Sequence, residues 1–342
     1  MVKTILDVEK VSGVSKATIS RYLNGKRVNE KNKEKIDKAI KELNYNINPL
    51  ASGLKSKRTN TVGVIIPIIT DQFFPPILRA FENYMSKNNY QMILSNYGND
   101  ISLEKKQVKV LANKKVDGIV IASGSYDGEH VQECLDNKIP VVLLDRLISS
   151  IKCDSVTVDN YNATFDAMSL AVRRGHKKIA IMRLLKCYTD DERFKGYKDA
   201  LEINQLEPRK DYISGIYNAW DQDSPKREFM RFLNLKDPPT LIFCTNTYLA
   251  AGALKARLEY KIKIPEEVSV IVFDQLSQFP YYSFVSLIKP EFSGICQPLE
   301  EIGETVGKVL IDRIKKGMDN YKPENIELKT TFRMTESVAD LT

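Results

Sequence analysis

The stretch SGVSKATISRYLNGKR, residues 12–27, decides how the N-terminal part of the chain folds. Between its two glycines lies a segment with helical spacing that carries hydroxyl groups, small side chains and one arginine. The first glycine and the Asn24-Gly25 pair are typical helix ends, because both residue types tolerate the left-handed conformation that closes a helix. We therefore expect a short helix that is capped by Ser15 and ends near Leu23.

Two further helices are expected beside this segment. Thr4 and Asp7 have the spacing of a capping box, and apolar residues follow them at helical intervals. Asn29 or Asn32 can begin a third helix, in which Ile36 and the apolar residues after it recur at i, i+3, i+4 and i+7. Three short helices with a tight turn between the first two indicate helix-turn-helix geometry.

The side chains of the central helix suit contact with DNA. A helix that enters the major groove needs small or hydrogen-bonding side chains at its N-terminal end, where it meets the base edges. Residues of this kind begin the helix: Ser15, Lys16, Ala17 and Thr18. Arg21, one turn further on, can donate two hydrogen bonds to a guanine edge. Further candidate DNA contacts, mainly to phosphates, are Thr4, Ser20, Asn24 and Tyr45.

The excess positive charge of the chain lies in the same region. Residues 1–60 hold 14 Lys and Arg against 6 Asp and Glu, whereas the remaining residues hold 37 against 38. A basic arm on a near-neutral body is the charge distribution of a nucleic-acid-binding protein. Charge alone leaves open an ordinary helical bundle with a solvated basic face.

The rest of the composition argues against several classes of protein. The five cysteines form no CxxC pair and the two histidines, His130 and His176, lie far apart, so no disulfide framework or metal site is expected. We expect His130 on a helix surface and His176 at a helix end. No phosphate loop, nucleophile elbow or zinc-protease motif occurs, so neither an enzyme nor a bound cofactor is predicted. The sequence shows no signal peptide and no long apolar run, which predicts a cytoplasmic protein without membrane contact.

From residue 61 onward, short apolar runs alternate with helical stretches. Two sets of strands are predicted: 61–67, 91–96, 118–122, 141–145 and 155–159, then 178–182, 212–217, 240–245 and 268–274. Strands of this kind form parallel sheets covered on both faces, so we expect two α/β lobes. The segment 294–298, a helix over 299–316 and a strand near 327–334 complete the lobes by crossing back. A ligand is expected in the cleft at the carboxyl ends of the strands.

Much of the chain also resembles a known protein family. The segments TILDVEKVSGVSKATISRYLNG and VNEKNKEKIDKAIKELNYNINPLASGLKSKRTNTVGVIIP, within residues 3–67, closely resemble the N-terminal signature of the LacI/GalR (lactose-repressor) family of bacterial regulators. In the body, similar segments are RGHKKIAIM (174–182), ERFKGYKDAL (192–201), FCTNTYLAAGALKA (243–256) and ICQPLEEIGETVGKVLIDRIK (295–315). The resemblance implies an all-α helix-turn-helix headpiece (1–46), a hinge helix and linker (47–60), and a two-lobed, periplasmic-binding-protein-like α/β sensor domain for effector binding and dimerisation (61–342).

The resemblance also implies how DNA is bound. Lys16, Ala17 and Arg21 occupy the base-reading positions of the recognition helix. In the hinge helix, Leu54 would wedge into the minor groove at the centre of the operator, with Ala51 against the groove floor. A homodimer would place one headpiece on each half of a near-palindromic, double-stranded operator.

The effector contacts of the family fall on residues near the strand ends. The implied set is Asp71, Phe73, Phe74, Asp145, Arg146, Arg193, Trp220, Asn246 and Asp274. Arg193 is the principal candidate, because its guanidinium can hold vicinal hydroxyls or a carboxylate; for Phe74 and Trp220, packing in the core is the alternative. Thr247 and Gln275 stand where an aspartate is usual, and the loop 275–289, expected beside the pocket mouth, is longer than usual. Fewer acidic groups near the two arginines would suit a sugar acid or sugar phosphate.

The sequence therefore predicts a DNA-binding transcriptional regulator, in most members of the family a repressor, whose operator binding is controlled by a small, carbohydrate-derived effector. Two other classes stay open on the body alone, namely a transport-type sugar-binding protein and an α/β enzyme. The basic headpiece argues against both. The missing signal peptide argues against the first, and the missing nucleophile–base pair argues against the second.

Overall fold

A computed structural model of the chain describes residues 3–23, 26–45, 58–217, 221 and 223–342, with the backbone alone for residues 280–283. The chain divides into two units, Met1–Thr59 and Asn60–Thr342. We call the first the headpiece and the second the two-lobed unit. Several predictions lie outside the described residues, namely the contacts of Asn24, Ala51, Leu54 and Trp220 and residues 47–57 of the hinge.

The headpiece contains the three predicted helices, α1 (Ile5–Ser12), α2 (Lys16–Leu23) and α3 (Glu30–Leu43). The predicted capping box of α1 is formed, because the Thr4 amide donates to Asp7 Oδ2 at 2.8 Å. Gly13 ends α1 with a φ of 66°, the left-handed conformation that glycine adopts without steric cost. Of the two candidate caps for α3, Asn29 is the one used, since its side chain accepts from the Asn32 amide.

A small apolar core joins the three helices. Val8, Val14, Ile19, Ile36 and Ala39 are buried in it. Burial of a valine or isoleucine side chain stabilises a fold by about 1.5–3 kcal/mol, so these residues decide how the helices pack. Because Ile19 faces the core, the opposite side of α2 faces solvent.

The two-lobed unit contains two sheets of six strands each. The strands are β1 (Thr61–Ile66), β2 (Gln91–Asn96), β3 (Gly118–Ile121), β4 (Val141–Leu144), β5 (Asp154–Val158), β6 (Ile179–Leu184), β7 (Ile213–Ile216), β8 (Leu241–Cys244), β9 (Ser269–Phe273), β10 (Ser293–Cys296), β11 (Asn325–Leu328) and β12 (Thr331–Arg333). The helices are α4 (Phe74–Lys87), α5 (Ile101–Asn113), α6 (Glu129–Asp136), α7 (Asn160–Arg173), α8 (Tyr188–Ile203), α9 (Ser224–Leu233), α10 (Thr247–Tyr260) and α11 (Leu299–Lys316), with 3₁₀ helices at Lys210–Tyr212, Leu276–Gln278 and Pro280–Leu287. Among helices built from described residues, none has the length and apolar character to cross a membrane.

Each sheet belongs to one lobe. The first lobe has the strand order β11-β5-β4-β3-β1-β2, and the second has the order β12-β10-β9-β8-β6-β7. Neighbouring strands are parallel, except that β10 and β12 pair antiparallel. The prediction of a single strand near 327–334 is wrong. Two short strands form there, one in each lobe, because the chain crosses between the lobes at Lys329 and Thr330.

Close packing of α7 against α8 depends on a glycine. A Cβ atom at Gly196 would lie 2.4 Å from the Tyr161 carbonyl oxygen, a distance at which backbone would have to move. Gly196 is three residues after Arg193 in the same helix. The close approach therefore brings the beginning of α7 next to the Arg193 side chain.

Candidate functional site

One face of α2 is exposed and carries the residue types predicted to contact DNA. Its exposed residues are Ser15, Lys16, Ala17 and Arg21. Ile19 is fully buried on the opposite side, so core packing fixes which side chains point outward. The Lys16 amide donates to Glu9 Oε1 at 2.7 Å, which ties the N-terminal end of α2 to α1. The arrangement presents a helix N-terminus and a basic side chain on one surface, which suits DNA.

The other predicted DNA contacts are more enclosed. Thr18, Ser20 and Tyr45 are half-buried, and Tyr45 packs against the headpiece core. Thr4 is exposed, but its amide and hydroxyl both bond to Asp7 Oδ2, at 2.8 and 2.9 Å. The DNA contacts of these residues stay predictions.

The two-lobed unit has a cavity of about 680 Å³ at the carboxyl ends of its strands. Its lining comes from segments that follow β1, β2, β3 and β4 of the first lobe and β6, β7 and β8 of the second, so both lobes form its walls. Among the residues implied to bind effector, the lining includes Asp71, Arg146 and Asn246. Open α/β sheets bind ligands at this edge.

Charged groups of both lobes interact with one another beside this cavity, and two of them, Asp71 and Arg146, are part of its lining. The charged groups are Asp71, Asp145 and Arg146 of the first lobe and Arg193 and Asp274 of the second. The Nε of Arg146 is 3.6 Å from Asp145 Oδ2, and its Nη1 is 3.5 Å from Tyr97 Oη. Burial raises the pKa of Asp71 and of Asp145, and the two arginines oppose that rise. Three carboxylates therefore lie near the two arginines, although Thr247 and Gln275 stand where the family usually has aspartates.

The guanidinium of Arg193 is hydrogen-bonded to other groups of the protein, and the residue is not part of the cavity lining. Its Nε donates to Asn160 Oδ1 at 2.8 Å, and its Nη1 donates to the Thr245 carbonyl oxygen at 2.5 Å. Its guanidinium carbon lies 3.5 Å from the centre of the Phe273 ring, and its Nη1 is 3.9 Å from Asp274 Oδ2. At 4% exposure, this side chain joins α8 to the start of α7 and to the ends of β8 and β9.

The two residues after β9 are also buried. Asp274 has a φ of 66° and accepts from Gln297 Nε2 at 2.6 Å. Burial raises the pKa of Asp274 to about 6, although Arg193 and the Gln297 hydrogen bond act in the opposite direction. Gln275 points into the second lobe, where its Nε2 donates to Glu291 Oε2 at 3.2 Å. The glutamine that stands here in place of the family's usual aspartate therefore affects the packing of the second lobe and not the cavity lining.

The two predicted phenylalanine contacts belong to the core. Phe73 and Phe74 are 7% and 1% exposed, and their rings meet edge to face with centres 5.1 Å apart. The prediction that Phe73 lines the pocket is wrong, and for Phe74 the alternative of core packing is the one found, because α4 begins at this point and turns both rings into the hydrophobic core. The loop 275–289, expected beside the pocket mouth, directs Leu276, Phe279 and Val285 into the core, and none of its residues with described side chains is part of the cavity lining.

The two histidines are both buried, which contradicts the expected surface position of His130. The Nε2 of His130 is 2.7 Å from Glu104 Oε1, and Glu104 Oε2 accepts from the Gly124 amide at 2.8 Å. Because Gly124 is part of the lining, this buried pair supports the cavity wall from behind. His176 lies at the C-terminal end of α7, as predicted, where its amide donates to the Ala171 carbonyl oxygen at 3.2 Å. Its Nε2 is 3.2 Å from the carbonyl oxygen of Ala339 in the C-terminal segment.

Sequence reasoning missed several residues of the lining. Tyr126 follows β3, Tyr217 follows β7, and Lys186 and Cys187 follow β6. Their positions after strand ends are the signal that could have selected them. No motif distinguishes these residues, since tyrosine and lysine at such positions are equally common in exposed loops.

Comparison with known proteins identifies both units. Residues 4–48 match the family of bacterial regulatory proteins, lacI family, and residues 59–334 match the periplasmic binding proteins and sugar binding domain of LacI family. The chain belongs to the LacI family. It is a DNA-binding transcriptional regulator, as its relatives are named, and not an enzyme.

Individual relatives cover the whole length of this LacI-family chain. Catabolite control protein A of Priestia megaterium is 32% identical over 92% of this chain and 93% of its own length. The lac repressor dimer bound to operator and the anti-inducer ONPF has a TM-score of 0.84 and 22% identity, covering 99% of this chain and 100% of that one. The transcriptional regulator CelR–cellobiose complex has a TM-score of 0.70 and 22% identity, covering 98% and 99%. At these identities the two solved structures show the shared fold alone.

Proposed function

We propose that the protein is a homodimeric repressor that binds a near-palindromic operator in the cytoplasm of a bacterium. The observation that carries the proposal is the exposed face of α2, where Lys16, Ala17 and Arg21 project opposite the buried Ile19. The two-fold symmetry of a dimer would match two half-sites, with one headpiece in each major groove. Residues 47–60 would form the hinge, whose Leu54 would insert into the minor groove while Ala51 lies against the groove floor.

The cavity of the two-lobed unit is proposed to bind a small, carbohydrate-derived effector. Its lining supplies the groups that bind hydroxyls, namely the carboxylate of Asp71, the guanidinium of Arg146 and the amide of Asn246. CelR, which has the same fold, is described in complex with cellobiose. The buried charged residues behind the lining then hold these contacting groups in position.

That the effector is a sugar acid or sugar phosphate stays a prediction, but the group expected to bind its negative charge is no longer one of the two arginines. The carboxylates next to Arg146, those of Asp71 and Asp145, disfavour binding of an anion at this part of the cavity, because like charges repel. Two exposed lysines, Lys186 and Lys255, are part of the cavity lining, and the Nζ of Lys255 already lies 2.6 Å from Asp223 Oδ1. An anionic effector would therefore place its charge near Lys186.

Effector binding would regulate DNA binding by shifting the relative orientation of the lobes. Ligand contacts come from both lobes, so the ligand favours whichever arrangement brings those contacts together. The effect is allosteric only if the arrangement that binds operator has a different affinity for the effector. Either an inducer or a corepressor meets this condition.

Replacing Arg21 with alanine is expected to weaken operator binding by about 1–3 kcal/mol and to relax the preference for one base pair in each half-site. The exposed guanidinium would read a guanine edge, so its loss affects sequence preference more than general DNA binding. The measurement is fluorescence anisotropy on operator and on single-base variants of it, at a fixed salt concentration. Lys38→Ala, on exposed α3, is the control. Equal weakening on all sequences would contradict base reading.

Replacing Asp71 with asparagine is expected to abolish the effector's stabilisation of the protein. A ligand at about 100 times its dissociation constant adds roughly 2.7 kcal/mol to the free energy of unfolding, which a thermal-shift screen of sugars, sugar acids and sugar phosphates detects. Asp319→Asn, a matched change at a surface aspartate paired with Lys138, should keep the full response. If Asp71→Asn keeps it as well, the effector does not bind in this cavity.

A further inference from the structure

Exposed basic side chains cluster at the edge of the first lobe where its strands begin. Arg58 precedes β1, Lys87 precedes β2, and Lys114 and Lys115 precede β3. All four are exposed, and the only acidic residue of these three turns, which the structure describes throughout, is Asp117. Because β2 and β3 are the two neighbours of β1, the three turns lie side by side. We call this surface the basic edge.

The opposite edge of the same sheet has the reverse charge. Each of the turns after the first four strands carries an aspartate, namely Asp71, Asp100, Asp127 and Asp145. This is the edge at which the cavity opens. Positive charge is therefore not a general property of the first lobe, and the basic edge is separate from the surface that the effector would use.

The chain enters the first lobe in the middle of the basic edge, at Asn60. The Asn60 amide donates to Asp117 Oδ2 at 2.9 Å, and the Asn60 carbonyl oxygen accepts from the Gln91 amide at 2.9 Å. The Asp117 amide donates to the Thr61 carbonyl oxygen at 2.8 Å. These bonds join the entry point to the turns before β2 and β3, so the backbone that carries the lysines is held beside it.

The proposed hinge contact limits how far this edge can be from DNA. Leu54, the residue expected in the minor groove, precedes Asn60 by six residues. A fully extended chain spans at most about 3.3–3.6 Å per residue, so Asn60 would lie within about 20 Å of Leu54, and any helical turn shortens this distance. The minor groove is about 7.5 Å deep, so the phosphates on its rim would stand closer to the basic edge than the base step that Leu54 enters.

Phosphate binding is the chemistry that exposed lysines at such a place supply. Within the described part of the chain, neither Lys87 nor Lys114 forms an ion pair with an acidic side chain. Their ammonium groups are therefore available to an anion outside the protein. A lysine that neutralises a phosphate releases condensed counterions from DNA, which strengthens binding without reading the base sequence.

We propose that the basic edge is a second DNA-binding surface, in which Lys87 and Lys114 contact phosphates on the rim of the minor groove at the centre of the operator. The proposal rests on the proposed function, because the hinge contact of Leu54 is what places DNA beside this edge. In a homodimer each lysine is present twice, so both copies act on one operator. The headpiece reads the bases, and the basic edge adds affinity that depends on salt and not on sequence.

The test is the salt dependence of DNA binding by the full-length protein, measured by fluorescence anisotropy. The probe is a duplex that the unmodified protein selects from a random pool, beside single-base variants of that duplex. Lys87→Gln and Lys114→Gln are each expected to remove about two phosphate contacts per dimer, which lowers the slope of log K against log salt by about 1.8. The selected duplex and its variants should be weakened by the same factor, unlike in Arg21→Ala.

Two matched variants separate phosphate contact from general charge. Lys114→Arg keeps the positive charge and should keep the slope. Lys236→Gln removes an exposed lysine before β8 of the second lobe and should also leave the slope unchanged. Slopes of both basic-edge variants equal to that of the unmodified protein, or a fall of the same size in Lys236→Gln, would overturn the second surface. A protein that selects no sequence from the pool would instead overturn the proposed operator binding, on which this surface rests.

Discussion

Replacing Arg193 with alanine is expected to lower the free energy of unfolding of the two-lobed unit by about 3–5 kcal/mol. The guanidinium is 4% exposed and donates to Asn160 Oδ1 and to the Thr245 carbonyl oxygen. Its removal leaves these acceptors without a donor and leaves Asp274 without its nearest positive charge. Breaking a buried ion pair from one side is costly because the remaining charge stays desolvated. Urea unfolding of the full chain, followed by circular dichroism, measures the change.

A second substitution separates the ion pair from the rest of the Arg193 contacts. Asp274→Asn removes the charge that Arg193→Ala leaves behind, so the double variant should be more stable than the sum of the single changes predicts, by about 1 kcal/mol or more. An exposed arginine, Arg79→Ala, is the control for side-chain loss, since its pairing with Glu300 is at the surface. If Arg193→Ala unfolds like the unmodified protein but no longer binds effector, Arg193 is a direct contact and not a brace.

Arg193 illustrates which part of a site can be inferred from sequence. The Arg-x-x-Gly-aromatic pattern selected the residue, but not its role. The role depends on Asn160 and Thr245, which are distant in sequence and meet Arg193 only when α7 and β8 pack against α8. A motif identifies which side chain is special, whereas the partners that occupy its donors follow from tertiary packing.

The strands were predictable for a simple physical reason. Parallel strands covered on both faces are short, continuous apolar runs, and their predicted limits agree with β1–β9 to within one or two residues. The error near 327–334 arises because β11 and β12 are short and half-exposed, so their hydropathy does not show that they belong to different lobes. The prediction for Phe73 is wrong for a related reason, because an apolar residue near a strand end can face either the core or the cleft, and the sequence left the same two alternatives open for Phe74.

Asp274→Asn is expected to raise the free energy of unfolding at pH 7.5 by about 2 kcal/mol, and to raise it less as the pH falls. Burial raises the pKa of Asp274 from 3.8 to about 6 in the folded protein. Between these two values the folded state binds more protons than the unfolded state, so the stability contributed by this group falls as pH rises and is lowest above about pH 6. Asparagine has the same shape and can still accept from Gln297, but carries no charge to desolvate. Arg193 is not left without partners in this variant, because it keeps its hydrogen bonds to Asn160 Oδ1 and to the Thr245 carbonyl oxygen, and its distance to Asp274 is 3.9 Å.

The measurement is urea unfolding of both proteins at pH 4.5, 6 and 7.5, where the difference between them is the quantity of interest. Burial also lowers the pKa of His176. The effect of this histidine on stability is the same in both proteins, so it cancels when their free energies of unfolding are subtracted. Two results would contradict the view that Asp274 is ionised and poorly solvated at pH 7.5. One is a difference in stability that does not change with pH, and the other is an unmodified protein that is more stable than Asp274→Asn at pH 7.5. If the asparagine variant is more stable and also loses effector binding, the protein keeps a destabilising carboxylate because the arrangement of Arg193 and the effector site depends on it.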